Sequence, residues 1–155
     1  MSERLLIGTR KGLFTAERDG SASWHIRAAA FLGDPVTIVL PLADGKTVYA
    51  ALRLGHFGVK LHRSRDRGLT WEELAAPAYP EKPPDVEDID PMRKTPIPWS
   101  TDLIWSLESG GEDVLWCGTI PGGLFRSEDA GGSWTLIRAL WDRPERTQWF
   151  GGGYD

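Results

Sequence analysis

Apolar positions along the chain fall in short runs separated by turn-forming residues. Leu5-Leu6-Ile7-Gly8, Gly12-Leu13-Phe14-Thr15, Val36-Thr37-Ile38-Val39-Leu40 and Thr47-Val48-Tyr49-Ala50-Ala51-Leu52 make up the first half. Gly58-Val59-Lys60-Leu61-His62-Arg63, Leu103-Ile104-Trp105-Ser106-Leu107, Asp113-Val114-Leu115-Trp116-Cys117-Gly118 and Gly123-Leu124-Phe125-Arg126 follow. Each run is rich in β-branched or aromatic residues and is bounded by Gly, Asp or Pro, which predicts a strand. No stretch keeps a 3.6-residue apolar period over a dozen positions, so the pattern predicts an all-β protein. Trp105 and Trp116 lie inside runs and are expected in the core.

The runs are arranged as a repeat. Ser64-Arg65-Asp66-Arg67-Gly68-Leu69-Thr70-Trp71 and Ser127-Glu128-Asp129-Ala130-Gly131-Gly132-Ser133-Trp134 both read Ser-x-Asp-x-Gly-x-x-Trp. A degraded copy, Glu17-Arg18-Asp19-Gly20-Ser21-Ala22-Ser23-Trp24, keeps an acidic turn and the tryptophan. The tryptophans are spaced 47 and then 63 residues apart, and a Pro-rich insertion at 77–98 accounts for the difference. Four runs, A to D, make one repeat, and the octapeptide sits in the C–D turn. There the Asp carboxylate can accept turn N–H groups, the Gly can take positive φ, and the Ser can bond locally. The Trp opens strand D with a ring that can pack between sheets.

Four-stranded units of about 40–50 residues are the mark of β-propeller blades. The octapeptide resembles the Asp-box, or bacterial neuraminidase repeat, of sialidase-like β-propellers, and the resemblance runs from Leu5 to the Trp149-Phe150-Gly151-Gly152-Gly153-Tyr154-Asp155 end. It implies one partial propeller over 1–155, about two and a half blades: blade 1 at about 4–28, blade 2 at about 35–76, the insertion at 77–98, blade 3 at about 101–140 and a loop into a next blade at 141–155. Blade 1 lacks an A strand. Ring closure is what protects the sheet edges of a propeller. The expectation is therefore a fragment of a longer chain, roughly 300–350 residues for seven blades, with oligomerisation as the other route to closure.

Composition narrows the partners. The 155 residues carry a formal charge of −4, which gives no excess of Lys and Arg to face phosphates, so nucleic acid is not expected. The single cysteine, Cys117, excludes an intrachain disulfide and a cysteine-built zinc site. No apolar run is long enough for a signal-peptide core or a membrane span, so the expectation is a cytoplasmic protein off the membrane. The insertion holds seven of the eleven prolines together with Glu81, Asp85, Glu87, Asp88 and Asp90. It reads as an extended, solvated acidic lid without the spaced ligands and fixed Gly of a calcium loop. No cofactor or metal is expected.

Alternating strands send their connections to opposite ends. The A–B turns, Asp44-Gly45-Lys46 and Gly110-Gly111-Glu112, share one end with the octapeptides. The other end receives the B–C loops (Arg10-Lys11, Arg53–Gly58, Ile120–Gly123) and the D–A segments (27–35, 75–100, 141–155). Long insertions gathered on one face of a repeat array mark the binding face. Candidate ligand-binding residues there are Arg10, Arg53, His56, Phe57, Trp99, Trp149 and Tyr154: aromatics to stack on sugars or anchor a partner, arginines to pair with carboxylates.

Three functions compete. The leading one is a carbohydrate- or protein-binding module that uses this face. The second is the sialidase-like glycoside hydrolase that the resemblance implies. A glycosidase needs two carboxyl groups or a Tyr nucleophile around one bond. Asp34 and Asp102, near the starts of A strands, are the candidate acids, but no Arg-Ile-Pro motif is present and Trp24-His25-Ile26-Arg27 is not one. The third is an assembly scaffold, similar to the Asp-box factors that help build photosynthetic complexes.

Overall fold

A computed structural model describes residues 3–18, 20 and 23–149. Among the described residues, eleven strands form three antiparallel meanders. β1 (Glu3–Thr9), β2 (Gly12–Arg18) and β3 (His25–Ala30) make sheet I. β4 (Val36–Pro41), β5 (Val48–Arg53), β6 (Val59–Ser64) and β7 (Glu72–Leu74) make sheet II. β8 (Leu103–Gly111), β9 (Val114–Ile120), β10 (Leu124–Ser127) and β11 (Thr135–Leu136) make sheet III. The protein is all-β, as the apolar runs predict.

β5 shows how the sheets stack. Val48 to Leu52 are all buried, so this strand is covered on both faces. Its alternation divides the core in two. Tyr49 and Ala51 join Leu61 and pack with Ile104, Leu107, Leu115, Cys117 and Phe125 of sheet III. Ala50 and Leu52 pack with Val36 and with Leu13 of sheet I. Phe125 is fully buried, and burying such a side chain stabilises by about 1.5–3 kcal/mol.

The two intact octapeptides fold alike. Ser64 Oγ accepts the Gly68 N–H at 2.7 Å and donates to Asp66 Oδ1 at 2.8 Å. Ser127 repeats both bonds, to Gly131 and Asp129, at 2.8 Å each. Asp66 also accepts from the N–H groups of Leu69 and Thr70 and from the Thr70 hydroxyl. Gly68 and Gly131 have φ of 83° and 90°, which a side-chain-bearing residue adopts only with strain. The residues before them, Arg67 and Ala130, are also left-handed. Their N–H groups bond to Lys46 and Asp113 in the A–B turns, both at 2.8 Å, so the two turns of each sheet are tied together. The Asp19 turn of the degraded copy lies outside the described residues.

Three features differ from the sequence reading. Trp105 is 53% exposed, because a register shift between Ile104 and Ser106 takes it out of the alternation that would have buried it. Trp116 is half-buried on the outer face of sheet III rather than in the core. The acidic insertion is only partly solvated: Asp88 is 1% exposed and is held by Arg146 at 2.8 Å and by the Trp99 indole N–H at 2.9 Å. Its partner arrives on the segment after sheet III, which forms a helical turn, α1 (Arg138–Trp141), followed by a 3-10 helix at Pro144–Gln148. Arg146 stacks on Trp141 at 3.9 Å from the ring centroid, and Trp141 packs on Tyr79 and Trp99.

Candidate functional site

One end of the stack carries the A–B turns and the octapeptides. Asp44 accepts two backbone N–H groups and the Thr47 hydroxyl, which lower its pKa. Asp66 and Asp129 are lowered to about 2, first by the hydroxyls of Thr70 and Ser133 and then by backbone N–H groups. Each of these carboxylates accepts several hydrogen bonds inside its own turn.

The other end carries Arg10, Arg53, His56, Phe57 and Asp102. β5 ends in Arg53, and its guanidinium crosses to sheet III, donating to Asp102 Oδ2 at 2.6 Å. Both side chains keep more than two-fifths of their surface in water, so the pair adds little to stability and leaves charge presented at the rim. After Arg53 the chain makes a 3-10 turn over Gly55–Phe57, closed by the Leu54 N–H to the Gly58 carbonyl at 2.9 Å. That turn holds His56 and Phe57 outward, with ring centroids 5.8 Å apart and 73° between planes. Phe57 is 78% exposed, the most exposed of the large hydrophobic residues described. Arg10 is exposed in the neighbouring turn of sheet I, where the Lys11 carbonyl accepts the Gly33 N–H at 3.1 Å.

The two candidate acids differ. Asp102 is exposed and bound to Arg53. Asp34 is half-buried at the start of β4, on the side of His62, whose imidazole burial drives to a lower pKa. His62 is packed on the Phe31 ring at 4.8 Å, with its Nε2 4.0 Å from Glu73. It is a junction residue between sheets I and II.

The insertion forms one wall of this end. The Tyr79 hydroxyl meets Thr119 Oγ1 at 2.6 Å and donates to the Pro121 carbonyl, which ties the insertion to the B–C loop of sheet III. A Cβ at Gly123 would collide with that hydroxyl, so glycine is required there. Burial pushes Tyr79 up to about 12, and Cys117, deep in the core, likewise to about 12, which leaves the thiol unreactive. Trp99 is half-buried and committed to Asp88, whereas Trp149 is exposed. Tyr154 lies outside the described residues. Sequence reasoning missed Asp88, Arg146, Trp141 and Tyr79, which fix the wall. An Asp within a Pro-rich acidic run gives no signal of burial, because its cation is 58 residues away.

No group of His, Cys, Asp and Glu able to hold a metal ion occurs among the described residues. No helix among them is long and apolar enough to cross a membrane.

Three stacked antiparallel meanders, one of three strands and two of four, give an open array of the β-propeller class. The chain is similar to YCF48 in the structure "YCF48 bound to D1 peptide", with a TM-score of 0.53 and 18% identity, over 86% of this chain and 36% of that one. The likeness shows the propeller fold, and the chain spans about a third of that neighbour's length. No family model matches the chain, and no curated protein is significantly similar to it.

Proposed function

We propose that the chain is part of a β-propeller that binds a protein ligand, an extended segment of polypeptide, on its loop-rich end. The observation that carries this reading is the Arg53–Phe57 turn. It holds a 78% exposed phenylalanine on a turn fixed by its own backbone bonds, and Arg53 at the start of that turn pairs with Asp102 at the start of β8. An exposed aromatic on a rigid turn costs little conformational entropy to dock, and aromatic and arginine side chains carry most interface energy. The neighbour's peptide complex fits the same reading.

The three sheets are taken as consecutive blades, and the octapeptides as Asp-boxes with a bracing role. A carbohydrate is the competing ligand, since Phe57 and Trp149 could stack on sugar rings. The glycoside hydrolase reading would rest on Asp34 and Asp102.

Panning a random linear-peptide phage library against the purified chain, with a glycan array in parallel, tests the proposal. Enriched peptides are expected to bind the Phe57→Ala and Arg53→Ala proteins at least tenfold more weakly than the parent. Binding to glycans alone, or peptides indifferent to both substitutions, would overturn it.

A further inference from the structure

The blades are joined by one repeated contact. On the first, Arg4 donates to the backbone carbonyl of Arg67, the fourth residue of the next blade's octapeptide. On the second, Tyr49 and Arg63 face each other across β5 and β6. Both donate to the carbonyl of Ala130, again the fourth residue of the following octapeptide, at 3.0 Å each. Gly131 comes next, and a Cβ there would stand 3.1 Å from Leu74 and 3.6 Å from Tyr49. Each turn therefore sits in a notch on the preceding blade, built on the second from Tyr49, Arg63 and Leu74.

The third blade has the same notch with no turn in it. Trp116 and Arg126 face each other across β9 and β10 in the register of Tyr49 and Arg63. Ile137 bonds to Leu124 where Leu74 pairs with Leu61. Arg126, Thr135 and Ile137, with Glu128, Asp129 and Ser133 of the sheet's own octapeptide, line an open cleft of about 220 Å³. The Arg126 guanidinium lies 5.5 Å from the Trp116 ring centroid and pairs with Glu128.

We propose that this cleft is the seat of a further blade, one that carries a Ser-x-Asp-x-Gly-x-x-Trp turn. Arg126 donates to the backbone carbonyl of the turn's fourth residue, while Trp116 and Ile137 pack on the glycine that follows. The occupant is argued by continuity: the equivalent face of the second blade is covered by such a blade through the same register positions. A second copy of this chain is a poorer occupant, because its first blade has Glu17 where the octapeptide has Ser.

The test compares the full chain with the same chain extended after residue 155 by a second copy of residues 101–149, which adds one octapeptide-bearing blade. Arg126→Met keeps the apolar stem and removes the donors. It is expected to lower the melting temperature of the extended chain by about 2–4 °C and to leave the unextended chain unchanged. Arg63→Met, whose turn is already seated, is expected to lower the unextended chain by a similar amount and sets the scale. A cyclised peptide of residues 124–137, added to the unextended chain, is the second probe. It is expected to shift the Trp116 indole resonance, and the shift is expected to disappear in Arg126→Met. An equal effect of Arg126→Met on both chains, or no effect on either together with no peptide shift, would overturn the proposal. So would light scattering that shows a dimer of the unextended chain dispersed by Arg126→Met.

Discussion

Ser127 is almost fully buried, and its one hydroxyl serves both the Gly131 N–H and the Asp129 carboxylate. Removing it strands a buried backbone donor, which costs about 1–3 kcal/mol. Ser127→Ala is therefore expected to lower the unfolding free energy by about that amount, read as a shift of the urea midpoint at constant slope. The aspartates of the same turns set an acid limit. Their native pKa of about 2 lies below the unfolded value of about 3.9. The stability they add is thus complete above pH 4 and is lost as pH falls through that window toward 2. Melting curves across this window are expected to be flatter for Asp129→Asn than for the parent, and an unchanged slope would contradict the assignment. At this scale the sequence is legible, because Ser, Asp, Gly and Trp at fixed offsets state the turn chemistry locally. Trp105 is the exception. Its exposure comes from a one-residue register shift, and nothing in the run Leu103–Leu107 marks which residue will bulge.

The insertion shows what element-level patterning cannot carry. Its prolines correctly signal a lack of regular strands, and only an isolated bridge between Ile89 and Pro96 forms. What fixes it is a clasp: Asp88 with Arg146, Arg146 over Trp141, and Trp141 against Tyr79 and Trp99. Every member of this cluster comes from 77–99 or from the two helical pieces after β11, α1 and the 3-10 helix Pro144–Gln148. Both lie beyond the repeat, so the period says nothing of their meeting. A carboxylate left buried without its cation costs about 3–5 kcal/mol. Arg146→Ala is expected to destabilise by about that much and to make the insertion the first segment cut in limited proteolysis. The double change Asp88→Asn with Arg146→Met is expected to recover part of the loss. If Arg146→Ala leaves the proteolysis rate of 77–99 unchanged, the clasp does not hold the insertion.

For the molecule as a whole, the fold was legible because it is repeated: a turn, four runs and a tryptophan return twice in register, and each sheet buries one face on the next. The sequence also indicates which end carries the long connections, since that follows from counting strands. It does not show that Phe57 would stand almost fully in water, that Arg53 would be bridged to Asp102, or that Trp99 would be spent on the insertion. Those facts depend on distances between loops of different blades. Two surfaces carry separate proposals, the loop-rich end for a polypeptide ligand and the outer face of the third blade for another blade. The most direct test of the account is calorimetric titration of a library-selected peptide into the parent, Phe57→Ala and Arg126→Met proteins. The expected result is at least tenfold weaker binding to Phe57→Ala and unchanged binding to Arg126→Met. Loss of binding in Arg126→Met with Phe57→Ala unaffected would contradict it, because the ligand would then occupy the face assigned to a blade.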